Sequence, residues 1–151
     1  MRQSAKQLTL NNRLESIRAY LAHIENLFTT AELLTVFRQG LESYEQLCPN
    51  EKAMFHGKML GFYSHHATGR QQVALGTLQQ KDIAGIEEDF SRILGCPGSR
   101  EWWLSVQAGF DDDPIIAELT ERSTGKKTIR DLLGFLESTS ADAGRRNAVD
   151  V

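Results

Sequence analysis

The 151-residue chain has little of what marks the specialised protein classes. Two cysteines, Cys48 and Cys96, are too few for a disulfide framework, and a chain of this length buries enough apolar surface without one. Three prolines and 12 glycines without a fixed period exclude collagen-like and low-complexity chains. Neither sign of charge dominates: 17 Lys+Arg against 20 Asp+Glu leave a net charge of −3, and 40% hydrophobic residues separate the chain from disordered sequences. Without a basic excess, a dedicated nucleic-acid binder is not expected. No apolar run is long enough to span a bilayer. The least charged stretch, Met59 to Gln80, still holds His65, His66, Arg70 and four glutamines. Met1 to Leu10 carries Arg2 and Lys6 but no signal-peptide core. The expected setting is reduced and cytoplasmic, and any membrane association has to come through a partner or an upstream segment.

Catalytic signatures are missing as well. The chain contains no G-x-S-x-G elbow, no P-loop and no G-x-G-x-x-G, and its acids fall on the polar faces of amphipathic segments, as in Glu87-Glu88-Asp89. No enzyme activity is therefore expected, and no catalytic residue is assigned. An enzyme whose acids converge only in the fold is the remaining catalytic reading.

What the sequence does have is helical periodicity. Leucine occurs 18 times against 13 Val+Ile, a bias towards helix over sheet. Leu10, Leu14, Ile17, Leu21, Ile24 and Phe28 recur at spacings of 4, 3, 4, 3 and 4, which places them on one narrow stripe of a first helix from Thr9 to Phe28. Thr29-Thr30-Ala31-Glu32 then matches a capping box with Thr29 as N-cap, opening a second helix that buries Leu33, Leu34, Phe37 and Leu41, with Gly40 as its stop. Cys48-Pro49 opens a third helix by placing proline at the first helical position. Phe55, Met59, Phe62, Tyr63, His66, Gly69 and Val73 continue its buried face as far as Gln79. A bend or a close helix contact is expected near Gly69. Asp82 caps a fourth helix with Ile83, Ile86, Phe90, Ile93 and Leu94 inward and Gly95 at its end. Cys96-Pro97 opens a fifth with Trp102, Trp103, Val106 and Phe110 inward. Asp113-Pro114 opens a sixth, and Ile129, Leu132, Leu133 and Leu136 suggest a last short helix.

The candidate ligands do not assemble in sequence. His65 and His66 are adjacent and diverge by about 100° on a helix, and neither C-x₂-C nor H-x₃-H spacing occurs, so no metal site is expected. Asp111-Asp112-Asp113 ends in Pro114 and lacks the spread ligands of an EF-hand, which reads as a helix cap. Each Cys-Pro pair resembles the short haem-regulatory motif, in which a thiolate is the axial ligand. The competing reading makes each cysteine an N-cap before a helical proline. No cofactor is expected, and the alternative ligand site comprises Cys48, Cys96 and His66, serving a small-ligand or haem-responsive sensor.

Two features suit a protein partner. Adjacent indoles on a helix cannot both point inward, so of Trp102 and Trp103 one is expected in the core and the other at a boundary. The first helix keeps a 3.5-residue repeat, a seam that suits a partner helix from the same chain or from a second copy. Packing within the chain is the first expectation and homodimerisation the second. The candidate interface is Leu14, Ile17, Leu21, Ile24, Trp102 and Trp103.

The order of motifs, an amphipathic helix, T-x-A-E-L, F-R-x-G-L, C-P-N-E-K-x-x-F-H and then S-R-I-L-G-C-P-G-S-R-E-W-W, resembles an uncharacterised family of bacterial all-helical domains. The resemblance covers Leu8 to Leu119 and rests on Phe37, Arg38, Gly40, Leu41, Phe55, Pro97, Gly98, Trp102 and Trp103. In that family similar motifs often follow one or two membrane-spanning segments, which this chain lacks, and no activity comes with the likeness. The whole reading is an all-α single-domain bundle of five to seven amphipathic helices: residues 1–8 an N-terminal extension, 9–137 the helical domain, 138–151 a disordered tail. Its expected role is that of a non-catalytic interaction or scaffold module.

Overall fold

A computed structural model describes residues 2–27 and 29–110, together with 117, 118 and 121. Five α-helices follow one another: α1 (Arg2–Leu27), α2 (Ala31–Glu42), α3 (Pro49–Ala74), α4 (Gln80–Leu94) and α5 (Pro97–Val106), closed by a short 3₁₀ turn at Gln107–Gly109. There is no strand among the described residues, so the chain is an all-α bundle. The stretches expected to form the sixth and last helices, and the tail 138–151, lie outside the described residues apart from Ala117, Glu118 and Glu121, which are helical.

The helix α3 is the centre of the bundle because its apolar spacing is strict. Phe55, Met59, Phe62, His66 and Gly69 are all buried along one stripe. Against it α4 lays Ile83, Ile86, Phe90, Ile93 and Leu94, the set expected from its periodicity. The rings of Phe62 and Phe90 meet with centroids 6.5 Å apart at 8°, and Phe37 of α2 stacks on Phe55 at 5.6 Å. Gly69 makes a close contact rather than a bend: a Cβ placed on it would lie 3.0 Å from Ile83 Cγ2. Trp102 of α5 is fully buried and donates its indole N–H to His56 Nδ1 at 3.0 Å, so its one polar atom does not go unpaired.

Several boundaries differ from the expected ones for identifiable reasons. The helix α1 begins at Arg2, so residues 2–8 are its first turns and not an extension: Gln3, Ala5, Lys6 and Gln7 are competent helix formers and nothing among them breaks a helix. The N-cap of α2 is Thr30, whose Oγ1 accepts from the Leu33 N–H at 3.1 Å, while Thr29 donates back to the Asn26 carbonyl at 2.9 Å. The helix α3 ends at Ala74 and does not reach Gln79. Gly76 takes φ +73, Thr77 N–H reaches the Gln72 carbonyl and Gly76 N–H the Val73 carbonyl, each at 3.0 Å, completing a Schellman stop. Asp82 is not the cap of α4 but its third residue, accepting the N–H of the N-cap Gln79 at 3.0 Å.

Gly40 is no stop either. It lies inside α2, buried, with Phe55 packed on it and Gly98 of α5 against its carbonyl. A Cβ on Gly98 would overlap the Gly40 oxygen. Two glycines thus let the backbones of α2 and α5 touch, and Glu101 secures the crossing by accepting from Ser43 Oγ at 3.1 Å and Glu45 N at 2.9 Å.

Candidate docking surface on the first helix

The way α1 is seated on the bundle is not the way its apolar pattern predicts. The residues it turns towards α3 and α4 are Asn12, Ser16, Tyr20, His23, Ile24 and Leu27, of which Tyr20 and Leu27 are buried. Most of the contacts are polar. Arg13 Nε lies 3.1 Å from Asp82 Oδ1, Ser16 donates to Gln72 Oε1 at 2.9 Å, Tyr20 donates its hydroxyl to Asp89 Oδ2 at 2.7 Å, and Lys58 donates to Asn26. The His23 ring stands edge-on to Phe62 at 4.8 Å and fills the space that a side chain on Gly61 would need. Burial and the Asp89 carboxylate both push the Tyr20 phenol well above its usual range, so the hydroxyl stays a donor.

The apolar stripe lies beside this seat. Leu10, Leu14, Ile17 and Leu21 are 48%, 43%, 36% and 52% exposed, and Ile24 alone is shared with the core. At about 100° per residue, the centres of the two stripes are separated by roughly a third of a turn. Among the described residues the stripe packs within the chain through Ile24, and Ile17 borders the cleft between α1, α3 and α4. The expected packing within the chain holds for Ile24 and is not seen for Leu10, Leu14 and Leu21 among the described residues, because the bundle holds α1 chiefly by Tyr20, Leu27 and a set of polar ties on a different face.

The other candidate residues disperse. Trp102 is withdrawn from any surface by its complete burial, whereas Trp103 is half-buried with its ring 5.5 Å from Phe110. Cys48 and Cys96 are the N-caps of α3 and α5, each followed by proline at the first position. Cys48 is exposed. Cys96 is buried, with Sγ 3.6 Å from the Arg92 carbonyl, and burial pushes its thiol up to about 11. A neutral thiol is a poor axial ligand. Cys48 precedes His66 by 18 residues along one helix, about 27 Å, and Cys96 follows the Glu87 that faces His66 by nine residues, roughly 13 Å along α4, so the three cannot share one small ligand.

His66 has its own environment. Its side chain is fully enclosed, Nε2 lies 3.5 Å from Glu87 Oε1, and Glu87 accepts from Gln80 Nε2 at 2.7 Å. Burial lowers the His66 pKa, with Glu87 opposing and Arg70 reinforcing the shift. Between α1, α3 and α4 runs a cleft of about 330 Å³ lined by Arg13, Ser16, His65, Gln72 and Asp82 among others. Two polar pairs span it as ties between helices, Arg13–Asp82 and Ser16–Gln72. No group of three or more His, Cys, Asp or Glu residues with metal-binding potential occurs among the described residues, and none of their helices is long and apolar enough to cross a membrane.

The apolar spacing of α1 does not mark its seat, since Asn12, Ser16, Tyr20 and His23 carry no aliphatic periodicity. No family model, curated protein or solved structure matches the chain.

Proposed function

We propose that the protein is a non-catalytic helical interaction module whose docking surface is the apolar seam of α1. One observation carries the reading: four large aliphatic side chains, Leu10, Leu14, Ile17 and Leu21, stand at coiled-coil spacing on one helix and are 48%, 43%, 36% and 52% exposed. Scattered exposed leucines such as Leu75 and Leu104 are ordinary, but a continuous ridge at heptad spacing is the kind of surface that a partner helix covers. The remaining features fit a rigid scaffold. Tyr20 of α1 is tied to Asp89 of α4, His66 of α3 faces Glu87 of α4 at 3.5 Å, and the two Cys-Pro pairs serve as helix starts.

The test is a separation of folding from association. In dilute protein, Leu14→Glu combined with Leu21→Glu leaves the helical signal and the urea midpoint within about 0.5 kcal/mol of wild type, as substitutions on an open surface do. Unfolding of that variant would assign the seam to the interior and end the reading.

A further inference from the structure

The face that holds α1 on the bundle collects groups that are, or can become, positive. His23 of α1 and His65 of α3 stand with ring centroids 5.3 Å apart, and the Tyr20 ring meets His65 edge-on at 5.8 Å. Lys58 of α3 donates to Asn26 of α1, one turn beyond His23. The His23 ring lies over Gly61, in the space a side chain there would need, and the Lys58 backbone hydrogen-bonds it. Its Nε2 is enclosed without a hydrogen-bond partner among the described residues. The charged groups acting on His23 are His65 and Lys58, both on α3 and both cationic when protonated. No described carboxylate of α1, α2, α3 or α4 is among the charges acting on either ring: Asp89 and Asp82 of α4 are turned to Tyr20 and Arg13.

We propose that this contact is an acid-operated latch: protonation of His23 and His65 frees α1 from the bundle while α2 to α5 stay packed. A charged imidazole donates from both nitrogens, so on His23 the enclosed Nε2 becomes a donor with nothing to receive it. A proton on His65 as well sets two cations 5.3 Å apart, close to the Lys58 ammonium and against the Phe62 ring, where little water screens them. Undocking relieves both costs, because each ring then reaches water. The helix α1 is the element that can leave. Of its described residues only Tyr20 and Leu27 are buried, while Phe37, Phe55, Met59, Phe90 and Trp102 pack among α2, α3, α4 and α5. Burial holds both histidines below 6.5, so docking is complete above that value and gives way as pH falls towards the lower docked values.

The test is amide hydrogen exchange of the full chain at about pH 7.5 and pH 5.5, each rate corrected for the pH dependence of free amides. Each histidine that must shed its proton to dock favours the open state about tenfold per pH unit below 6.5. Amides of α1 from Tyr20 to Leu27 are therefore expected to open at least about tenfold more at the lower pH, relative to those of α3 from Phe55 to Phe62. His23→Gln with His65→Gln removes that difference. His66→Gln, which alters the side of α3 that faces α4, keeps it. His65→Gln alone, a milder change at a half-buried ring, lowers the acid response and decides the matter where the double variant does not fold. Exchange in α1 that ignores pH, equal loss of protection in α1 and α3, or an acid response undiminished by these substitutions overturns the latch.

Discussion

Tyr20 and Leu21 are neighbours on α1 with opposite surroundings: Tyr20 is 8% exposed with its hydroxyl 2.7 Å from Asp89, and Leu21 is 52% exposed. The contrast shows which face of α1 belongs to the fold. Tyr20→Ala is expected to destabilise the domain by about 3 kcal/mol, through lost ring packing and an Asp89 left without its donor. Leu21→Ala in the monomer changes stability by no more than about 0.5 kcal/mol. Urea denaturation of the two variants side by side measures the difference, and equal losses would contradict it.

Much of this architecture is legible in the sequence. Phe55, Met59, Phe62 and His66 on α3 and the isoleucines of α4 declare their buried faces by spacing alone, because both helices bury an apolar stripe against other apolar stripes. The docking of α1 is not legible, because it is made by Ser16–Gln72, Tyr20–Asp89 and Arg13–Asp82, pairs 56 to 69 residues apart whose polar members look solvated in sequence. The Gly40–Gly98 crossing is hidden for a similar reason: a glycine at a helix contact reads as a helix end until the facing backbone is known.

That crossing makes a second prediction. Gly98→Ala sets a methyl group against the Gly40 carbonyl and is expected to cost about 1–3 kcal/mol or more, since the obstruction is backbone and cannot rotate away. Gly57, in the middle of α3 with nothing within 4 Å of its absent Cβ, gives the opposite sign: Gly57→Ala gains about 0.5–1 kcal/mol from helix propensity. Thermal midpoints moving in opposite directions check both. A Gly98→Ala protein as stable as wild type would mean that the two backbones are not in contact.

One buried and two half-buried histidines contribute to the pH dependence. His66, His23 and His65 are all held below the usual value of 6.5, in each case first by burial, with Glu87 opposing the shift at His66 and the neighbouring His65 and Lys58 adding to it at His23. The unfolded chain then binds protons that the folded chain resists. Stability is full above the unfolded value and is lost as pH falls through 6.5 towards the lower folded values. The thermal midpoint should drop between about pH 7.5 and pH 5, and His66→Gln should flatten the drop by removing the most enclosed of the three. A midpoint that rises on acidification would contradict the assignment.

The two cysteines separate by reactivity. Cys48 is exposed, while Cys96 is buried and its thiol pushed up to about 11. A disulfide-exchange reagent at neutral pH should modify one thiol rapidly and the second only on unfolding, and Cys48→Ser should remove the fast phase. Two thiols of equal rate in the folded protein would place Cys96 at the surface and reopen it as a ligand.

The most direct measurement is circular dichroism with urea denaturation on the wild type and on Leu21→Glu, at the same dilute concentration. A leucine ridge that lies outside the core gives a variant with the wild-type helical signal and a stability within about 0.5 kcal/mol of wild type. A variant that loses its helical signal, or that unfolds at much lower urea, would show that the ridge is packed within the fold.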